Sequence, residues 1–233
     1  MRIINLNDND YHCHSTEFSD GFDTSITELI KIAGQNGASE IAITDHSQIA
    51  LDISFKNKSP HKRSMINRWK NIFNDVNVIF GIEADLLNAN GDICDYVQND
   101  KKIIKPEFLI LSGHKSTYQD DPQTINQAYR NAIERHHEKI KFLGHPCIKK
   151  IEKYLDIDAL IEVANHYEIP LEFNCANLIN KLTNLDSLDK VLEKADRIYV
   201  NSDAHTLWEF RDARKIGFEY LKEKGIELRS DYS

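Results

Sequence analysis

Residues 10–15 read Asp-Tyr-His-Cys-His-Ser, and residues 201–205 read Asn-Ser-Asp-Ala-His. Each places two metal-binding side chains two positions apart, His12 with His14 and Asp203 with His205. On an extended chain, positions i and i+2 face the same side, so each pair can reach one ion. Cys13, between two of these residues, then points away from them.

The same arrangement recurs between these two stretches. Asp45 and His46 follow the apolar run Ile41-Ala42-Ile43, and Glu83 ends Val78-Ile79-Phe80-Gly81-Ile82. His114 follows Leu109-Ile110-Leu111-Ser112-Gly113, and His145 follows Phe142-Leu143-Gly144. Of ten histidines, six (His12, His14, His46, His114, His145 and His205) fall at or just beyond the end of an expected strand. Asp20, Asp45, Glu83 and Asp203 share these segments. His136, His137 and His166 fall within helical patterns and read as structural or surface residues. Imidazole suits zinc, iron or manganese, and carboxylates can bridge two ions. Paired ions roughly 3.5–4 Å apart can clamp a phosphoryl group and make hydroxide from water near neutral pH.

The runs themselves are short and rich in Ile, Leu, Val and Phe, which predicts strands near 10–13, 40–44, 76–82, 108–111, 141–143, 170–173 and 197–200. Amphipathic stretches separate them. Residues 25–34 (SITELIKIAG) place Ile26, Leu29, Ile30 and Ala33 at helical spacing, with Ser25 and Glu28 in the positions of a capping box. Residues 156–166 and 186–195 repeat the pattern, and a last helix is expected from about 207 to 224, stopped by Gly225. Strands alternating with helices imply parallel pairing with right-handed crossovers. About seven such units predict an α/β fold, a closed or nearly closed TIM-like barrel, with its chemistry at the C-terminal ends of the strands. Gly81, Gly113 and Gly144 let the backbone approach that site.

Composition narrows the function classes. With 233 residues, 41% hydrophobic and 28% charged, the chain suits one globular domain spanning 1–233. No stretch approaches the roughly 20 apolar residues of a membrane helix, and the first residues carry no basic start followed by an apolar run. Cys13, Cys94, Cys147 and Cys175 form no CxxC pair and read as reduced thiols, which predicts a cytoplasmic protein. A net charge of −8 disfavours non-specific nucleic-acid binding, although bound cations can reverse the field within a site.

The segments DYHCHS (10–15), SDG (19–21), AITDHS (42–47), GIEAD (81–85), LSGHK (111–115), LGHP (143–146), LEFN (171–174) and NSDAH (201–205) occur in an order that resembles the polymerase-and-histidinol-phosphatase (PHP) superfamily. The resemblance implies a distorted (β/α)7 barrel carrying two to three divalent ions, zinc, manganese or iron. It implies one ion on His12, His14, Glu83 and Asp203, and a second sharing Glu83 and taking His114 and His145. A third falls to Asp20, His46 and His205. Asp45 is expected to orient a ligating imidazole.

The implied activity is hydrolysis of a small phosphate monoester by metal-activated water, as in histidinol phosphatases. Glu83, Asp203 and His205 are the expected catalytic residues, with His205 or His46 able to protonate the leaving oxygen. Lys115, Arg211 and Arg63, with His61 and Lys62 beside the last, are the expected substrate-binding cations. The chain departs from histidinol phosphatases at Ile179 and Thr206, where those enzymes carry basic residues; Lys181 is a candidate replacement. Two alternatives are a nuclease or nucleotide phosphatase, for which Trp69 and the basic residues of 61–70 are the candidate track, and a non-catalytic metal-binding regulatory module. Oligomeric state is not encoded in any visible pattern.

Overall fold

The computed structural model describes residues 1–54, 75–99 and 102–228. Its strands and helices, in chain order, are β1 (Arg2–Ile3), α1 (Ile26–Gln35), β2 (Glu40–Ile43), α2 (Gln48–Ser54), β3 (Asn77–Leu86), β4 (Ile93–Cys94), β5 (Val97–Asn99), β6 (Lys102–Ile104), β7 (Phe108–Ser112), α3 (Ile125–His136), β8 (Ile140–Leu143), α4 (Lys149–Glu152), α5 (Ile157–His166), β9 (Leu171–Asn174), α6 (Cys175–Ile179), α7 (Leu185–Lys194), β10 (Arg197–Asn201) and α8 (Arg214–Glu223). The main sheet runs β1-β10-β9-β8-β7-β3-β2 with every pairing parallel, and β4 adds antiparallel to the far end of β3.

The expected strand at 10–13 is not a regular strand. Residues 10–14 make isolated parallel bridges to both ends of the sheet, Asp10 to Ile41 and Cys13 to Ala204. The Asp10 and Cys13 carbonyls accept from Ala42 and Thr44 on one side, while the His12 carbonyl accepts from Asp203 on the other. This segment therefore closes the curled sheet. It stays irregular because its backbone groups are divided between two neighbours and because side chains compete for others. Asn9 Oδ1, for instance, accepts from the Ser39 and Glu40 N–H groups.

Alternation along the strands sorts two cores. Ile41, Ile43, Val78, Phe80, Ile82, Leu109, Leu111, Phe173, Ile198 and Val200 face outward into the large cluster under the helices. Ala42, Phe108, Ile110 and Phe142, with Tyr11, Ile79 and Tyr199 against them, fill the inside of the ring. Tyr11 stacks on Phe108 at 5.3 Å between centroids, and Phe142 packs against Tyr199 at 4.8 Å. His12 lies 6.2 Å from Phe142, so the histidine layer sits directly on this aromatic plug.

The helices begin where their caps dictate. Ser25 accepts from the Glu28 N–H at the start of α1, and Asp156 and Asn184 do the same for α5 and α7. The last helix starts later than its pattern suggests: a π-helical turn over Glu209–Ala213 precedes α8. Among the described residues, no helix is long and apolar enough to cross a membrane.

Candidate metal centre

The inward-facing register carries the site. On β3, Ile79, Gly81, Glu83 and Asp85 alternate with outward apolar residues, so both acids rise from the inside of the ring. His46 bridges to Glu83, and β7 and β8 deliver His114 and His145 just past their ends. Gly144 faces inward too: a Cβ there would overlap the Ser112 hydroxyl and stand 2.9 Å from Ile110 Cγ2. His145 and Asp203 hold φ of 31° and 53°. That left-handed backbone is strained for side-chain-bearing residues, at a cost on the order of 1–3 kcal/mol each. Hydrogen bonds hold both in place, from the His145 N–H to Glu172 Oε2 at 2.8 Å and from the Asp203 N–H to the His12 carbonyl at 2.8 Å.

Three groups of donor atoms converge. His12 Nε2, His14 Nε2 and Asp203 Oδ1 form a triangle with sides of 3.3, 3.2 and 3.3 Å. Glu83 Oε1 lies 3.7 Å from His12 Nε2, and Glu83 Oε2 lies 3.5 Å from His14 Nε2. In the second group, His114 Nε2 and His145 Nε2 are 3.3 Å apart, with Glu83 Oε1 at 3.3 Å from the first and 2.7 Å from the second. In the third, Asp20 Oδ2 stands 3.5 Å from His46 Nε2 and 3.2 Å from His205 Nε2, with His14 Nδ1 3.6 Å from Asp20 Oδ1. Nitrogen ligands bound tetrahedrally at about 2.0–2.1 Å stand roughly 3.3–3.4 Å apart. The triangle and the His114–His145 pair are thus spaced as ligands of a shared ion, and the donor set fits a cluster of divalent metals.

Electrostatics agree with this fit. Burial opposes charge on His114, yet Glu83 and Asp85 outweigh it and push its pKa to about 10. Burial likewise opposes charge on His205, and Asp20 and Asp203 raise its pKa to about 9. Desolvation works the other way on His14, where it combines with His205 and His46 to lower the pKa to about 4. Glu83, Asp203 and Asp20 resist their own burial and stay well below the ordinary carboxylate range because imidazoles surround them. Without a cation, then, these carboxylates draw protons onto the histidines, which is the demand that a metal ion would meet.

Two buried carboxylates orient the rings. Glu172 Oε1 accepts from His12 Nδ1 at 2.8 Å and from Asn201 Nδ2 at 3.0 Å. Its Oε2 accepts from the His145 N–H and from Asn174 Nδ2, which also reaches Asp203 Oδ2 at 2.8 Å. Asp85 Oδ1 accepts from His114 Nδ1 and Thr117 Oγ1, each at 2.7 Å. Each bond fixes Nδ1 as the protonated nitrogen and turns the Nε2 lone pair toward the site. Asp45, expected in this role, accepts from the Ser15 N–H and hydroxyl and so anchors the loop after His14. The sequence did signal the other two: Asp85 lies two residues past Glu83 on one strand face, and Glu172 is an acid inside an apolar strand.

The expected substrate cations divide. Lys115 lines the open cleft above the donors, together with Lys150, Asn177, Ile148 and Leu182, none of which the motifs singled out for contact with substrate. Arg211 is exposed, bonds to Asp212 and does not line that cleft. Arg63, His61, Lys62 and Trp69 lie outside the described residues. Cys13 Sγ points to the Ala42 carbonyl, away from the ligands as expected, and all four cysteines are free and buried.

Comparison with known proteins follows this geometry. A sequence model of the PHP domain matches residues 10–199. A probable phosphatase, YcdX, of Shigella flexneri is 26% identical over 219 residues, covering 89% of this chain and 83% of that protein. The DNA polymerase/3'-5' exonuclease PolX of Bacillus subtilis is 30% identical over 228 residues, covering 95% of this chain but only 38% of the longer polymerase. The crystal structure of histidinol phosphate phosphatase from Lactococcus lactis, complexed with zinc, L-histidinol and phosphate, superposes with a TM-score of 0.60 at 17% identity, covering 94% of each chain.

Proposed function

The chain belongs to the PHP domain family, and on that footing we propose that it is a metal-dependent phosphoesterase that hydrolyses a small phosphate monoester. The observation that carries this reading is Glu83, whose two carboxylate oxygens face both the His12–His14–Asp203 triangle and the His114–His145 pair. A bridging carboxylate between two sets of imidazoles is what a pair of ions acting on one phosphoryl group requires.

In this reading His12, His14, Glu83 and Asp203 hold one ion, Glu83, His114 and His145 a second, and Asp20, His46 and His205 a third, with zinc, manganese or iron as candidates. When bound, the ions supply hydroxide at neutral pH and charge neutralisation for the phosphoryl oxygens. The chain's own residues do the rest. Glu172 and Asp85 keep the His12 and His114 rings in the ligating tautomer. Lys115 and Lys150, on the wall of the cleft, attract and orient the phosphate dianion. His205 donates Nδ1–H to the Asp203 carbonyl and turns Nε2 to Asp20, which gives it a ligand's role rather than an acid's. No cysteine serves as nucleophile, because all four thiols are buried.

The relatives support phosphoester chemistry: YcdX is named a probable phosphatase, and the Lactococcus enzyme holds zinc and phosphate. A second reading, a nuclease acting on nucleic-acid ends, draws on the match to PolX and on two exposed aromatics. Phe22 is 84% exposed with its N–H on the His205 carbonyl, and Trp208, 46% exposed, lies three residues past His205. Exposed rings beside a metal site can stack bases. The full donor set argues against a non-catalytic module.

The test is phosphate release by metal-loaded protein from aryl, alkyl and sugar monoesters, histidinol phosphate, nucleoside monophosphates, a phosphodiester and a short oligonucleotide. A Glu83→Gln/His145→Ala double variant is the blank. Monoester turnover confined to the wild type supports the proposal. Turnover of the oligonucleotide alone moves the nuclease reading ahead, and turnover of nothing despite bound metal contradicts both.

A further inference from the structure

A second, smaller recess, open to solvent, lies beside the metal cleft, and the two share His114, Lys115 and Lys150. Its remaining walls are Tyr118, Pro122, Ile125 and Tyr154. The recess is built on the turn that carries a proposed ligand: the Tyr118 N–H donates to the His114 carbonyl at 3.0 Å, and Thr117 Oγ1 bonds to Asp85, which holds the His114 ring. Both aromatic walls are tethered. The Tyr118 hydroxyl is paired with Thr124 Oγ1 at 2.7 Å, and Asn126 Nδ2 donates to the Tyr154 carbonyl at 3.0 Å.

Lys115 and Lys150 stand on the wall shared with the cleft, the Lys153 ammonium lies 4.6 Å from the centre of the Tyr154 ring, and among the described residues no carboxylate lines the recess. Asp120 and Asp121 accept from the Ala89 and Gln123 N–H groups and act on the outer wall, where burial and their charge raise the Tyr118 hydroxyl's pKa. Flat apolar walls favour a planar ring, whereas the two ammonium groups on the shared wall disfavour a cationic one.

We propose that this recess between Tyr118 and Tyr154 seats the leaving group of the substrate, a planar aromatic ring that is neutral or anionic. Lys115 and Lys150 lie between the ring and the phosphate. The inference rests on the phosphomonoesterase reading and narrows it: an amine-bearing leaving group such as histidinol, present in the Lactococcus complex, would meet the like charges of Lys115 and Lys150.

Benzyl phosphate and n-butyl phosphate test this, because both release a primary alcohol and differ chiefly in the ring. Ring contacts of this kind are worth about tenfold, so the metal-loaded wild type should prefer the benzyl ester by about 10-fold in kcat/KM. In Tyr154→Leu and in Tyr118→Leu/Tyr154→Leu the ratio should fall toward unity. A ratio of rate constants does not depend on the fraction of protein that folds. 2-Aminoethyl phosphate should be the poorest of the three esters. No ring preference in the wild type, or a preference that both variants keep, overturns the assignment. If neither ester turns over, the panel above decides the phosphatase reading, and calorimetric binding of phenylphosphonate against methylphosphonate decides the recess separately. Tighter binding of the aryl ligand that is lost in the variants upholds it, and equal binding overturns it.

Discussion

Replacing Glu172 by Gln changes one oxygen to an amide and touches no ion-binding atom, yet it should loosen the metal centre. Glu172 is 1% exposed, and each of its oxygens accepts two hydrogen bonds, one from His12 Nδ1 and Asn201, the other from the His145 N–H and Asn174. Glutamine keeps only one acceptor oxygen. Either orientation therefore sets an NH2 group against two donors, at about 1–3 kcal/mol for each donor left unpaired in the interior. One escape is for the His12 proton to move from Nδ1 to Nε2, so that Nδ1 can accept from the new amide. That proton would then sit between His14 Nε2 and Asp203 Oδ1, where the lone pair is needed. Part of the cost appears in folding whether or not metal is bound, and the part spent on His12 appears in metal affinity. Loss of such an orienting partner typically weakens binding about 10- to 100-fold, or about 1.4–2.7 kcal/mol. A chelator-competition titration near neutral pH, paired with melting curves of the metal-free proteins, separates the two. Metal affinity within about twofold of wild type, when a 10- to 100-fold loss is expected, would refute the claim that Glu172 sets the His12 tautomer.

Glu83→Gln removes the charge that both ligand groups share and should lower kcat by a factor on the order of 10³ or more, with phosphate release as the readout. Metal uptake should release protons and tighten as pH rises toward 9–10, because His205 and His114 carry protons up to about 9 and about 10 when no ion is present; pH-stat titration measures this directly. The metal-free chain should behave oppositely in stability. These raised histidines stabilise it fully below about 6.5, the unfolded histidine pKa, and that contribution is lost as pH climbs through about 9 and about 10. His14, lowered to about 4, contributes stability that is lost as pH falls from about 6.5, so the melting temperature of the metal-free chain should peak near neutrality and decline on both sides. Arg214→Met should cost about 3–5 kcal/mol in denaturant unfolding, because the buried guanidinium donates to the Val200, Asn5 and Asn7 carbonyls and neutralises the field at buried Asp10.

Much of this architecture was legible because its signals are local. Six parallel strands announce themselves as short apolar runs, and His46, His114, His145 and the Asp203–His205 pair follow them at short offsets, whereas Glu83, expected where its run ends, lies inside β3, because pairing with β7 and β4 carries that strand on to Leu86. The Ser25 cap sits where its spacing puts it. What stayed hidden depends on distant partners. β1 is two residues long and carries no period, but it pairs with β10 from the far end of the chain. Residues 10–14 have the composition of a strand, yet they are shared between β2 and the end of β10 and form none. Glu172 and Asp85 are marked by their positions, but which rings they orient is set by other strands, and the left-handed backbone of His145 and Asp203 is imposed by the hydrogen bonds around them rather than by residue type. The Tyr118–Tyr154 recess is assembled across a long sequence separation by Asn126, which no motif marks.

The claim on which the rest depends is that these carboxylates and imidazoles are ion ligands. Elemental analysis of protein expressed with zinc, manganese or iron supplied and then freed of loosely bound metal, run beside Glu83→Gln, addresses it directly. Two to three ions per chain in the wild type and fewer in the variant are predicted. Metal at background level in both would contradict the account, since the donor triangles would then be buried hydrogen-bonding clusters with no ion to serve.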